Sequence, residues 1–83
     1  MSGYHINEIT KGVVGELSKI YEEVEEVKDA DEQGASVMVL LELSDLIGSV
    51  QLYLEKHHPS VCLEDLIKMS DITQRAFKSG GRV

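Results

Sequence analysis

The sequence predicts an all-α fold of three main helices, a bundle completed by homo-oligomerisation. Apolar residues recur every three or four positions along most of the 83 residues. No segment alternates with period two for long enough to make a strand, and no Asn-Gly or Asp-Gly hairpin signal occurs. The punctuation falls at Gly34 and Pro59, residue types that end helices.

The first helix is expected from about Ile6 to Ala30, where Ile9, Val13, Leu17, Ile20, Val24 and Val27 form a helical seam. Gly12 and Gly15 weaken its first half, so a frayed or bent start is expected there. The stretch DADEQGAS, residues 29 to 36, has turn chemistry with Gly34 as the breaker. A second helix runs from about Ala35 to Lys56 and stops before Pro59, which biases His58 away from helical geometry. A third follows from about Leu63 to Lys78, with Ser60 as a cap, and SGGRV ends it.

Length and composition bound the rest. A chain of 83 residues is one domain, residues 1–83, and one this small buries only ~60% of its unfolded surface, so oligomerisation is the simplest added support. The single cysteine, Cys62, excludes a disulfide framework and a Cys-built zinc site and suits a reducing compartment. No apolar run near the ~20 residues that span a bilayer is read, and the N-terminus lacks a signal-peptide apolar region. A soluble, cytoplasmic protein without a membrane partner is therefore expected. The formal net charge of −7 argues against a nucleic-acid partner. Nine of the fifteen acids lie between Glu8 and Glu32, whereas the last nine residues carry three basic residues and no acid.

The placement of the acids carries the functional reading. On the second helix Val39, Leu40, Leu43, Leu46, Ile47, Val50, Tyr53 and Leu54 form a broad apolar arc, and Ser44, Gly48, Gln51 and Glu55 a face suited to water. Glu42 and Asp45 share a separate strip with Ser49, flanked by the arc and by Leu41 and Leu52. Ionised carboxylates between apolar flanks are expensive unless something positive pairs with them. On the first helix Glu23 and Glu26 lie on one edge of the seam, with Glu16 and Lys19 on the same side, Glu22 within a turn, and Glu25 pointing to the other flank. Glu26 lies eight residues before Gly34 and Glu42 eight after it, so in an antiparallel hairpin the two pairs face each other. Four carboxylates supplying only oxygen describe a hard divalent cation site, Mg²⁺ or Mn²⁺ rather than zinc. Mg²⁺ shares its shell readily with phosphate oxygens, which suggests a phosphoanhydride substrate.

EEVEEV, followed after fourteen residues by ELSD, resembles the EExxE then ExxD signature of the MazG-like, all-α nucleoside triphosphate pyrophosphohydrolases. The likeness extends through GELSKIYEE, ELSDLIGSVQLYLE, LIKMSDITQRAF and the closing GGR, covering roughly residues 10 to 83, and is closest to the short phage-type branch. The resemblance implies that Glu23, Glu26, Glu42 and Asp45 hold Mg²⁺, with Glu22 a further ligand or the group that orients the attacking water, making Glu22 and Glu23 the catalytic pair. It implies cleavage of a nucleotide to its monophosphate and pyrophosphate, with Lys19, Lys78 and Arg82 as the cations for phosphate. It also implies a dimer or tetramer in the cytoplasm, the host's if the chain is phage-encoded. Glu25 stands where many members have Gly, Cys62 stands where a Ser or Thr cap is natural, and the chain is shorter than the four-helix members.

Plainer readings stand beside these. The Glu22–Glu26 run alone reads as a solvated helix face. His57 and His58 read as a helix end favouring positive charge, His5 as a mobile terminal residue, Met38 and Met69 as core filler, and Cys62 as a small buried side chain. Two other functions share the features: a phosphoribosyl-ATP pyrophosphohydrolase, using the same metal chemistry, and a non-catalytic acidic helical interaction module.

Overall fold

Three α-helices and no strand occur among the described residues, 5–80, of this computed structural model. Helix α1 spans Leu17–Glu32, α2 Ser36–His57 and α3 Leu63–Lys78. The all-helical expectation holds, and α3 has the expected bounds.

The first helix starts well after Ile6, and the two glycines are the reason. Gly15 has φ 87°, a left-handed conformation that turns the chain sharply before α1. Gly12 lies flat on the first turn of α1, where a Cβ would come within 2.2 Å of the Ser18 carbonyl oxygen. Residues 5–16 therefore run back along α1 as a strap. The N–H of Val13 donates to Ser18 Oγ at 3.0 Å and that of Gly12 to Glu22 Oε1 at 2.8 Å. At the other end the N–H groups of Ile6 and Asn7 donate to Asp29 Oδ2 at 3.0 and 2.7 Å. Asn7 Nδ2 bridges Asp29 and Glu32.

Asp29, expected in a turn, is instead helical and almost wholly buried, because α1 continues to Glu32. Burial would raise its carboxyl pKa, but the Gln33 amide and the N–H groups of Asn7 and Ile6 outweigh this and hold it below the usual value. Past Glu32 the chain reverses at Gly34, φ 72°. The Gly34 N–H donates to the Asp31 carbonyl and the Ala35 N–H to the Ala30 carbonyl, the paired bonds of a Schellman ending.

Helix α2 returns antiparallel to α1, and Lys56 and His57 in its last turn both reach Glu16, just before α1 begins. It ends at His58, as Pro59 requires. The cap of α3 is Cys62 rather than Ser60: its N–H donates to Asp65 Oδ2 at 3.0 Å, the half of a capping box in which the third helical residue reaches back to the cap. Of the other two helices α3 touches α2 alone, and it buries no residue. By length and composition α2 is apolar enough to cross a bilayer, contrary to the reading of the sequence. Glu42 and Asp45 in its middle, with Glu42 buried against the acids of α1, oppose that use.

The most deeply buried side chains of the α1–α2 contact are mostly acids, while the apolar seams are half-buried or exposed. Among the described residues, the buried apolar side chains are Ala30 and Leu54, whereas Glu22, Glu23, Glu26, Asp29, Glu42 and Ser49 are all buried. Leu17 and Val24 of the α1 seam, Tyr21 of the same helix, and Leu40, Leu43 and Ile47 of the α2 arc are exposed, as are Ile67, Met69, Ile72 and Phe77 of α3. The chain exposes 6039 Å², against roughly 4,900 Å² for a compact protein of its mass. Its radius of gyration of 14.7 Å likewise exceeds the roughly 12 Å of a compact 83-residue domain.

Gly34 has open space where a Cβ would stand, so Gly34→Ala meets only backbone strain. We expect it to lower unfolding free energy by about 1–2 kcal/mol in urea titrations, the scale for a left-handed non-glycine residue. An unchanged midpoint would show that the turn does not need this conformation.

Candidate metal centre

Gly34 sets the register of the site. Glu26 and Glu42 are each eight residues from it, and Glu23 and Asp45 each eleven, so the hairpin sets both pairs opposite one another. The result is two overlapping sets of oxygen donors. One carboxylate oxygen each from Glu22, Glu23 and Glu26 lies within 4.8 Å of the others, and the same holds for Glu23, Glu42 and Asp45. Glu23 belongs to both. Glu42 is 1% exposed, Glu22 3% and Glu23 5%, while Asp45 stands exposed at the rim.

Positive charge among the described residues meets only part of this. Lys19 Nζ lies 3.1 Å from Glu22 Oε1 and 3.1 Å from Glu23 Oε2, and Lys11 Nζ lies 3.6 Å from Glu22 Oε2. Burial pushes against ionisation of Glu22, but the Gly12 N–H, Lys19 and a hydrogen bond with Glu26 prevail and bring its pKa down to about 2. Glu26 goes the other way. Burial, the hydrogen bond with Glu22 and the negative charge of Glu23, with Glu42 adding to both effects, push its pKa up to about 8, so it keeps a proton at neutral pH.

Glu23 Oε1 is buried and has no hydrogen-bond partner among the described residues. A buried carboxylate oxygen without a donor is costly, and a cation between the two acid sets would satisfy it. The donor set is all carboxylate oxygen, which fits a hard divalent ion. Glu23, Glu26, Glu42 and Asp45 could hold it, with Glu22 adjoining. Beside them opens a cleft of about 390 Å³ lined by Lys19, Glu23, Ser44, Asp45, Gly48, Ser49 and Leu52. Gly48 leaves its floor clear, since nothing lies within 4 Å of where a Cβ would be.

The remaining expected residues are spread more widely. Lys19 borders the cleft, but Lys78 is exposed at the end of α3, a helix that does not touch α1. Arg82 lies outside the described residues. Glu25 is exposed, as expected of the far flank. His57 pairs with Glu16 and stacks on Tyr53, in keeping with a helix-end role. His5 is not a loose terminal residue: its ring stands 3.5 Å from Asp29 Oδ1 and 3.8 Å from Glu26 Oε1. Met69 and Cys62 are exposed rather than buried, because α3 meets only one neighbour. Sequence reasoning missed Asp29, Asn7 and Gly12. Only the glycine gave a signal, and that was read as weakness of a helix rather than as close approach.

No family model, curated protein or solved structure matches the chain.

The opposed shifts of Glu22 and Glu26 define a pH dependence. Glu26, raised from 4.5 to about 8, contributes stability that is complete below pH 4.5 and is lost as pH rises through 8. Glu22, lowered from 4.5 to about 2, contributes stability that is present above pH 4.5 and is lost as pH falls through 2. In EDTA the melting temperature should therefore fall between pH 5 and 8.5, and saturating Mg²⁺, which competes with the Glu26 proton, should remove that fall. A melting temperature that rises across this range in EDTA would contradict the crowding of acids.

Proposed function

We propose that the protein is a Mg²⁺-dependent hydrolase that converts a nucleoside or deoxynucleoside triphosphate to its monophosphate and pyrophosphate. The observation that carries this reading is the buried, unpartnered Glu23 Oε1 at the junction of two acid sets beside an open cleft. The likeness to the MazG-like signature at Glu22, Glu23, Glu26, Glu42 and Asp45 supports it. The divalent ion supplies Lewis-acid charge that acidifies water and neutralises the leaving pyrophosphate. The chain's residues do the rest. Glu23, Glu26, Glu42 and Asp45 hold the ion, Glu26 giving up its proton to do so. Glu22, with a pKa near 2, is too weak a base to take a proton at neutral pH, so its part is to orient water or ligate. Lys19 at the edge of the cleft is the nearest cation for a phosphate, and a nucleotide substrate places the work in the cytoplasm.

The reading includes a homo-oligomer, a dimer or tetramer. The excess exposed surface and the apolar faces of all three helices support it, since stable pairs bury ≈800 Å² per partner. Sedimentation at low micromolar concentration should show no folded monomer. A stable, fully helical monomer there would defeat this part.

A panel of triphosphates assayed with Mg²⁺, Mn²⁺ and EDTA should release pyrophosphate, and only with metal. Orthophosphate as the product would sink the assigned chemistry. Inactivity across the panel, with metal binding intact, would favour the phosphoribosyl-ATP substrate or the non-catalytic module.

Asp45 distinguishes a ligand from a structural acid. It is exposed, and no ion pair to it occurs among the described residues, so Asp45→Asn should leave the EDTA melting temperature equal or higher. The same variant should lose most metal affinity and activity. A much lower EDTA melt with unchanged stabilisation by metal would remove Asp45 from the site.

A further inference from the structure

The strap, residues 5–16, is fastened in an unusual way. A segment held by packing would bury its apolar side chains, yet Ile6, Val13 and Val14 are all about three-fifths exposed. Its fastenings are polar and directed at the acids of α1. Gly12 presents its N–H to Glu22 Oε1, and Ile6 and Asn7 present theirs to Asp29. The His5 ring sits between Asp29 and Glu26.

Asp29 is the most heavily engaged of the buried carboxylates, accepting from Ile6, Asn7 and Gln33. Those bonds occupy both oxygens, so Asp29 has no oxygen to spare for a cation. It lies one helical turn beyond Glu26, on the side of the cluster away from Asp45. At the opposite end, Gly12 approaches the Ser18–Lys19 backbone so closely that no side chain fits, which brings its N–H within reach of Glu22.

We propose that residues 5–12 are a clamp on the metal ligands: Asp29 is the hook that fastens the strap and so keeps the His5 ring beside Glu26, Gly12 holds Glu22 through its N–H, and both are positioning residues. This rests on the metal-centre reading above. Carboxylate ligands are generally oriented by such outer hydrogen bonds, and losing one weakens metal affinity by about 10- to 100-fold.

The test is Mn²⁺ binding by calorimetry, with helicity from circular dichroism and hydrogen exchange at the Ile6 and Asn7 amides. The proteins are wild type, Asp29→Ala, Gly12→Ala and the milder Asn7→Ala. Asp29→Ala removes the hook, and Gly12→Ala lifts the strap at the other end by backbone collision. Both should keep their helices and bind Mn²⁺ about tenfold more weakly or worse, with faster exchange at Ile6 and Asn7 in Asp29→Ala. Asn7→Ala, an exposed change that removes only the amide bridge to Asp29 and Glu32, should weaken binding in the same direction. It keeps the question open to test if the first two variants do not fold. Unchanged or tighter binding, with the strap released and the helices intact, would overturn the clamp and leave the metal centre standing. No Mn²⁺ binding by wild type would overturn the centre and the clamp with it.

Discussion

Two ionised carboxylates 4 Å apart repel by about 4 kcal/mol at an effective dielectric constant near 20. The α1–α2 contact gathers Glu22, Glu23, Glu26, Glu42 and Asp45 into two sets with oxygens no more than 4.8 Å apart. A hairpin closed on that face must answer the repulsion or open. The chain answers in three ways: Lys19 lies between Glu22 and Glu23, Glu26 retains a proton, and the strap turns backbone N–H groups toward the acids. What remains is a buried Glu23 oxygen with no donor, where the arrangement is still short of positive charge. Functional sites commonly keep such unrelieved strain, and the proposed metal centre rests on its position here.

With the acids turned inward, much of each apolar seam is left exposed. A helix has one circumference, so giving the shared face to Glu23, Glu26 and Glu42 leaves Leu17, Val24, Leu40 and Ile47 on the outside. Ala30 and Leu54 alone cannot offset ordering the chain, since burial returns about 25 cal/mol per Å² while each residue fixed costs about 1–2 kcal/mol. The third helix does not repair this, as it lies against α2 only and buries nothing. The proposed homo-oligomer follows from this inversion. Among the described residues, much of the apolar patterning that makes the chain helical is left uncovered.

The helices were legible because local signals specify them. Gly34 and Pro59 end α1 and α2, and the break at Pro59 and the closing SGGRV bracket α3. The opposition of Glu26 to Glu42 was legible too, since it needs only a hairpin and a count from Gly34. Periodicity could not say which face of α2 meets α1, because an apolar arc and an acid strip on one helix are equally periodic and the choice is made by the partner. Nor could it reveal the strap. Residues 6–16 carry a helical pattern in Ile9 and Val13, and the close approach at Gly12 depends on the Ser18 backbone that it meets. Asp29 read as a turn residue because its composition is that of a turn, while its role comes from the N–H groups of residues more than twenty positions away.

Glu22 and Glu26 are the same residue type one turn apart on one helix, and their pKa values come to about 2 and about 8. Burial acts in the same direction on both, so it does not separate them. The difference comes from what each faces: Glu22 receives the Gly12 N–H and the Lys19 ammonium, whereas Glu26 faces Glu23 and Glu42. Each sets the other, because the proton kept by Glu26 is shared with ionised Glu22 in a hydrogen bond. An acid that stays ionised beside one that keeps its proton is a pattern that divides roles among like residues. A glycine ten positions upstream thus helps decide which of two identical carboxylates carries the proton.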